Sequence, residues 1–160
     1  MPGYTEQFSE KCAILATIDP ASLTAASYDT DIIDMKYWRR VVIIVLAGVL
    51  GNNGTLQVAV KVNTANSTSS PTPTTITGKA FTASTFSGSG SGTAGGTNHQ
   101  GIIEVTAEEC ENALDFGRYL FATLTVGTAT SIAGLVILGC DARYGPATDY
   151  DLSDVKEVIS

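Results

Sequence analysis

The sequence predicts an all-β protein, an antiparallel β-sandwich or jelly-roll of about seven to eight strands with extended terminal arms. Apolar and β-branched residues form short runs or alternate with polar ones, Gly, Asn and Pro separate these runs, and strands do not alternate with helices. Only 16% of the 160 residues are charged, while Ser, Thr and Gly are abundant. A chain of this length predicts one core, with residues 12–146 as a single domain.

The first elements lead to one dominant strand. Residues 12–18 predict a short apolar strand that ends at an Asp-Pro pair, residues 21–30 a loop, and residues 31–35 a second short strand. Residues 37–50 give the strongest signal, because β-branched side chains crowd positions 41–45. Apolar residues on consecutive positions predict burial on both faces, as a central strand or with an assembly partner on the outer face.

Two hairpins are predicted from turn residues between strands. Gly and Asn at 51–54 tolerate positive φ, and residues 56–62 alternate in polarity beyond them, so residues 37–62 predict one long β-hairpin. Residues 118–140 predict a second hairpin, with its turn at 127–130.

A segment rich in Ser, Thr, Gly and Pro occupies residues 64–99. Its composition predicts either a flexible loop or a long arm that orders against a neighbouring molecule. Three large apolar residues are its candidate anchors: Ile76, Phe81 and Phe86.

The remaining segments are a short strand, a helical turn and two arms. Residues 100–106 resume strand character, and the acidic residues 107–114 predict one short helical turn. We expect residues 1–11 to form an N-terminal arm and residues 147–160 an acidic C-terminal tail.

Composition excludes several classes of function. The net charge of −7 argues against nucleic-acid binding, because phosphate contacts need surplus Lys and Arg. The longest apolar run, residues 41–50, is about half of the ~20 residues that span a bilayer. The N-terminus lacks the basic and apolar regions of a secretory signal. We therefore expect a soluble protein made in the cytoplasm with reduced thiols and with no nucleic-acid or membrane partner.

Candidate catalytic and metal-binding residues are few. His99 is the single histidine, and an exposed loop position is favoured over a catalytic base because no Ser/His/Asp spacing surrounds it. The three cysteines lie far apart, which favours buried small side chains over a zinc site or disulfide scaffold: Cys12, Cys110 and Cys140. Two acidic clusters fit solvated faces better than metal sites: Glu108, Glu109 and Glu111, and Asp149, Asp151 and Asp154. We expect no enzymatic activity, cofactor or metal.

Aromatic and basic residues near the strands allow two interpretations each. The aromatic residues fit a sandwich core better than a carbohydrate platform: Tyr37, Trp38, Tyr119, Phe121 and Tyr144. Arg39 and Arg40 lead into the dominant strand, and pairing with acids of the same chain is favoured over pairing with a partner.

Four segments, in this order, resemble a known family. They are DIIDMKYWRRVVIIVLAG at 31–48, GTLQVAVKV at 54–62, GIIEVTAEE at 101–109 and GRYLFATLTVGTATSIAGLVILGCDARYGPA at 117–147. The chain resembles small structural proteins of tailed bacteriophages and prophages over about residues 12–147. It departs from that pattern in two places, at Cys140, where a second Gly is expected, and in the long Gly/Ser stretch at 84–97.

The resemblance implies a non-enzymatic virion protein, a capsid decoration or cement protein on the head exterior that stabilises the head. Its implied partners are the major capsid protein and copies of itself, as a trimer or other closed cyclic oligomer. Residues 1–11, 64–99 and 147–160 are then expected to make the contacts between subunits. The alternative is a tail or fibre component that binds host-surface carbohydrate.

Overall fold

The computed structural model describes residues 8–88 and 97–144. Their strands form two antiparallel sheets that pack together, which confirms the predicted all-β sandwich. The elements in chain order are α1 Phe8–Lys11, β1 Cys12–Leu23, β2 Ser27–Asp29, β3 Ile33–Asp34, β4 Trp38–Ala47, β5 Thr55–Asn63, β6 Thr74–Ser87, β7 His99–Thr106, α2 Ala107–Ala113, β8 Tyr119–Gly127 and β9 Ser131–Ala142.

The strands pair in a nested order: strands early in the chain pair with strands late in the chain, and the innermost pair is β5 with β6. Sheet 1 has the strand order β1-β9-β4-β7, and sheet 2 has the order β2-β8-β5-β6, with β3 also paired to β8. The first strand thus pairs with the last, β2 and β3 with β8, β4 with β7, and β5 with β6. Further pairs β4–β9 and β5–β8 join these units side by side into the two sheets.

Both predicted hairpins are wrong, because each turn joins strands of different sheets. In residues 37–62, β4 pairs with β7 and β9, whereas β5 pairs with β6 and β8. The predicted tight turn does form, with the Gly54 N–H donating to the Gly51 oxygen at 2.8 Å. Leu50 is buried just before it, so the chain crosses the core at this corner instead of folding back. Residues 118–140 make the same kind of crossing between β8 and β9.

The first strand is longer than the sequence predicted. β1 does not end at its Asp-Pro pair but continues to Leu23, with register shifts between Ile14 and Ala16 and between Ile18 and Ala21. As an edge strand, β1 tolerates Pro20, which has no N–H to donate. The predicted loop at 21–30 therefore contains the end of β1 and all of β2.

Residues 74–87 form strand β6, so the interpretation of 64–99 as a loop or arm is wrong there. β6 pairs with β5 through two irregularities, between Leu56 and Val58 and between Ala59 and Lys61 on β5. Its Phe81 and Phe86 rings meet edge to face, with centroids 5.3 Å apart. Residues 89–96 lie outside the described residues, as do 1–7 of the N-terminal arm and the whole tail 147–160.

Phe81 and Phe86 cover the side of the core next to β7, where the sequence provides a glycine. A Cβ on Gly101 would lie 2.6 Å from the Phe81 ring and 2.9 Å from the Phe86 ring. Glycine therefore allows β6 to approach β7 closely enough to close this side of the sandwich.

One hydrophobic core lies between the two sheets. Along β4 the inward side chains Val41, Ile43 and Val45 are fully buried, and they face inward side chains of sheet 2 such as Leu56 and Leu124. The outward residues of β4 are only half-buried, so the prediction of burial on both faces holds for one face.

Helix α2 confirms the predicted helical turn, and it begins at a capping box. Thr106 accepts from the Glu109 backbone N–H, and the Glu109 carboxylate accepts from the Thr106 N–H at 2.9 Å. Lys79 of β6 forms an ion pair with Glu109 at 2.9 Å and donates to the Glu104 carbonyl, which links the helix start to β6 and β7.

The loop after β5 is organised by one buried side chain. Asn63 is completely buried, and its Nδ2 donates to the carbonyls of Ser67 and Pro71 at 2.7 and 2.8 Å. Its Oδ1 accepts from the N–H groups of Thr64 and Ala65. A single amide thus fixes the path of a loop that composition alone describes as flexible.

Replacement of this amide tests that role. We expect Asn63→Ala to lower the free energy of unfolding by about 1–3 kcal/mol, because it removes four hydrogen bonds that the buried amide makes to partly buried backbone groups of the loop. Urea unfolding followed by circular dichroism measures the change. Gln57→Ala, at an exposed position of the same strand, is the control, and equal midpoints for the two variants would contradict the proposed role of Asn63.

Candidate functional site

The outward side of sheet 1 carries a continuous set of aliphatic side chains, which we call the apolar face. Strand alternation turns these residues away from the core while their neighbours in each strand are buried. Its members are Ile14, Val42, Ile44, Leu46, Ile102, Ile132, Val136 and Leu138. Ile102 and Ile132 are 63% and 46% exposed, and the others are half-buried.

Register brings these residues into rows that cross the sheet. Ile44 of β4 lies opposite Val136 of β9 and Ile102 of β7. Val42 lies opposite Leu138, and Leu138 lies opposite Ile14 of β1. Residues from four separate parts of the sequence therefore form one surface.

Among the described residues, charged groups of this face lie at its borders. Glu104 lies opposite Val42 on β7, the edge strand. In the next row Arg40 forms an ion pair with Asp141 at 3.1 Å, which confirms the predicted pairing of this arginine within the chain. Four strands ~4.8 Å apart and four rows ~6.6 Å apart give this side of the sheet a projected area of roughly 500 Å². That area also includes polar positions on both edge strands, Thr17 opposite Val136 and Gln100 opposite Leu46.

The outward side of sheet 2 differs in chemistry. Ser27 and Thr125 share a hydrogen bond of 2.9 Å between neighbouring strands, and Thr123 donates to Asp29 at 2.6 Å. Lys61 places its ammonium 5.9 Å from the centre of the Phe121 ring. The outer face of sheet 2 is therefore polar, whereas that of sheet 1 is aliphatic. The exposed apolar side chains are specific to sheet 1 and do not follow from the sandwich fold alone.

An open cleft of about 900 Å³ lies at one end of the sandwich. Its lining includes exposed aromatic rings and charged groups of both signs: Lys36, Glu111, Asp115, Phe116, Arg118, Tyr119, Arg143 and Tyr144. Phe116 is 89% exposed and has a φ of 61°, a conformation that is strained for an aromatic residue. The backbone thus holds this ring out at the rim of the cleft.

An ion pair fixes the wall of the cleft. Arg118 donates from Nε to Asp34 Oδ1 at 2.6 Å, and its Nη2 contacts the other carboxylate oxygen. Burial raises the pKa of Asp34, but hydrogen bonds from Arg118 and the Lys36 N–H and the charges of both residues outweigh it, so the pKa lies below its usual value. The hydrogen bond to Asp34 raises the pKa of Arg118 in turn.

Among the described residues that suggested catalysis or metal binding, His99 and the acidic side chains of α2 are not brought together. His99 is exposed at the start of β7, with Nδ1 2.7 Å from the Thr97 carbonyl oxygen. Glu109 serves the helix cap, and Glu108 and Glu111 are exposed on the same helix. Asp149, Asp151 and Asp154 lie outside the described residues. In residues 8–88 and 97–144, no group of three or more His, Cys, Asp or Glu could hold a metal ion.

The aromatic residues divide between core and surface. Trp38 packs in the core, as predicted, and Phe121 is buried on the outward side of sheet 2. Tyr144 is 60% exposed in the cleft, next to half-buried Tyr119. Sequence reasoning missed Phe116, whose position at the cleft follows from its backbone conformation and not from any pattern.

Comparison with protein-family models, with curated proteins and with solved structures finds no match to this chain. In the described part of the chain, no helix combines the length and the apolar character needed to cross a membrane. The apolar face and the cleft are therefore the structural basis for a functional proposal.

The Asp34–Arg118 pair predicts a pH dependence of stability. A carboxylate with a lowered pKa stabilises the folded state above its unfolded pKa of about 3.9, and this contribution is lost as the pH falls through the folded value. Asp34→Asn should therefore be less stable than the wild type at pH 7, and the difference should shrink below about pH 4. Denaturant midpoints at several pH values measure this, with Asp115→Asn in the same cleft as control. A difference that is independent of pH would contradict it.

Proposed function

We propose that this chain is a non-enzymatic virion structural protein, a capsid decoration or cement protein that binds the major capsid protein on the head exterior. The observation that carries the structural, assembling role is the apolar face, because a sheet surface of aliphatic side chains favours contact with another protein over contact with water. The four sequence segments that resemble phage structural proteins support the same class. They cover most of β4, β5, β7, β8 and β9, which include the four central strands of the two sheets, β4 and β9 in sheet 1 and β5 and β8 in sheet 2.

The order of the strands adds support for the jelly-roll form of the sandwich. Its nested pairs, β1 with β9, β2 and β3 with β8, β4 with β7 and β5 with β6, are what a long hairpin produces when it winds into two four-stranded layers. Jelly-rolls occur in viral capsid proteins and also in lectins, so this topology is compatible with capsid decoration and with carbohydrate binding.

We assign a second copy of the chain as the occupant of the apolar face. A flat face pairs with its own copy about a two-fold axis, each sheet covering the other as in a sandwich. Each copy has a net charge of −7, and the face presents its aliphatic rows at the centre, with Glu104 at one border and the neutralised Arg40–Asp141 pair at another. Two acidic copies therefore approach with little like-charge repulsion. The outward side of sheet 1, roughly 500 Å² in projection with its polar edges, would supply the central part of the ~800 Å² of accessible surface that each partner buries in a standard interface.

The contacts to the capsid protein fall to other parts of the molecule. Residues 74–87 belong to sheet 2 and pair with β5, so they are not an arm that reaches a neighbour. The N-terminal arm and the tail 147–160 remain the expected contacts, and α1, the last four residues of that arm, contacts β1 and β9.

A lysine at the most exposed position of the apolar face tests the assembly. We expect the wild type to sediment as a dimer or a larger closed oligomer, and Ile102→Lys to weaken self-association at least about 100-fold, because it buries an unpaired charge. Gln57→Lys adds the same charge on the outward side of sheet 2 and should leave association unchanged. Analytical ultracentrifugation over a range of concentrations measures this, and circular dichroism checks folding.

Mixing the protein with capsids that lack it separates the two parts of the proposal. Saturable binding at a fixed ratio supports the decoration role. A wild-type monomer that still decorates capsids would overturn the second copy as occupant of the apolar face but not capsid binding. Failure to bind capsids would overturn the decoration role itself.

The cleft favours one alternative, a tail or fibre component that binds host-surface carbohydrate. Sugars stack on exposed aromatic rings beside charged and polar groups, and Phe116 and Tyr144 provide such rings. If this alternative holds, purified protein should bind a glycan array, and Phe116→Ala should reduce the signal at least about 10-fold, the loss of roughly 1.4 kcal/mol. Phe8→Ala, an exposed phenylalanine outside the cleft lining, is the control. An array without signal would exclude this function for the glycans tested.

A further inference from the structure

Two of the three cysteines lie directly opposite each other on neighbouring strands. Cys12 is the first residue of β1, and its partner in the register is Cys140 of β9. Residues opposite each other in an antiparallel pair have Cα atoms about 4.5–5.5 Å apart, within the range of about 4.4–6.8 Å that disulfides span. Because Cys12 and Cys140 lie near opposite ends of the sequence, nothing in the sequence indicated this contact.

The two thiols also face each other. Both side chains point to the outward side of sheet 1, in the row that continues through Arg40. Burial raises the pKa of Cys140 to about 12, and a hydrogen bond with the Cys12 thiol adds to the increase. Cys12 is half-buried, whereas Cys140 is only 8% exposed, so an oxidant reaches Cys12 first.

The third cysteine is placed differently. Cys110 lies in α2, is completely buried, and belongs to the core cluster. Burial, followed by the charges of Glu109 and Glu111, raises its pKa to about 12. It therefore serves as an internal comparison for the reactivity of the pair.

We propose that Cys12 and Cys140 form a disulfide across β1 and β9 when the folded protein meets an oxidising low-molecular-weight disulfide such as glutathione disulfide. The Cys12 thiolate attacks one sulfur of the oxidant and forms a mixed disulfide, which releases one glutathione thiolate. The Cys140 thiolate then attacks the Cys12 sulfur and releases the second. The two protein thiols lose two protons and two electrons, and the oxidant becomes two molecules of reduced glutathione.

The position of the bond gives it a large effect. β1 and β9 are the first and last strands of the nested hairpin, so the bond closes a loop that contains every strand of both sheets. Cross-links that close long loops restrict the unfolded chain most and raise stability most. The bond would link the first strand covalently to the last strand, near the contact between α1 and β9. It distinguishes a reduced protein, as assembled in a cytoplasm, from an oxidised one outside a cell.

The test is oxidation of the purified full-length protein with glutathione disulfide at about pH 8.5, because alkaline solution favours the thiolate that carries out thiol–disulfide exchange. We expect the intact mass to fall by two hydrogen atoms, thiol titration after denaturation to leave Cys110 alone, and a non-reduced digest to join the Cys12 and Cys140 peptides. The melting temperature should rise by about 5–15 °C, the effect of a typical disulfide in a chain of this size. A reductant should reverse every change.

Three variants make the result specific. Cys12→Ser and Cys140→Ala should each abolish the two-hydrogen loss and the shift in melting temperature under oxidation, whereas Cys110→Ser should retain both. If the Cys110 variant does not fold, the digest of the wild type still decides the pairing. A stable mixed glutathione disulfide on Cys12, a disulfide between two chains on a non-reducing gel, or three free thiols after oxidation would each overturn the proposal. All three outcomes are independent of whether the protein decorates capsids.

Discussion

The core shared by the two sheets is the constraint on which the rest of the structure depends. Each long strand of the sandwich turns one row of side chains inward, and only rows that meet across both sheets are shielded from water. In β4, this requirement places Val41, Ile43 and Val45 in the core. The intervening residues Val42 and Ile44 must then point outward, whatever their chemistry. The apolar face follows from this alternation, because those outward positions of β4 and β9 also carry aliphatic side chains.

Strand character could be predicted from the sequence, while strand pairing could not. β-branched runs and polarity alternation identified β4, β5, β7, β8 and β9 closely, because these are local preferences of residues on a pleated, half-buried surface. The two hairpins were wrong because a tight Gly/Asn turn has the same local chemistry whether its flanking strands pair or diverge into opposite sheets. At the first corner, Leu50 inserts into the core and packs with residues distant in sequence, which directs β4 and β5 into different sheets.

The polar composition of β6 hid a strand for a related reason. β6 is an edge strand, so many of its side chains face water, and its two irregular stretches interrupt the alternation that predicts strands. Its few large apolar residues, Ile76, Phe81 and Phe86, were identified as anchors, and they do contact the core. Composition does not reveal that β6 lies beside β7. The Phe81 and Phe86 rings fit against Gly101 of β7 only when the two strands are adjacent.

β4 is a central strand of sheet 1. The sequence offered a central position or an assembly partner on the outer face as alternatives for this strand, and the partner stays a prediction. The sequence could not anticipate that Ile102 and Val136 would flank Ile44, because this depends on the register of three strands from separate parts of the chain. The same register brings Cys12 to Cys140 beside the Ile14–Leu138 row. β1 pairs only with β9 and shifts register twice, so it is the strand of sheet 1 least constrained by neighbours. A covalent link at its first residue would hold Ile14 in the plane of the face. The proposed disulfide would then couple the pairing of the first and last strands to the shape of the surface proposed to bind a second copy.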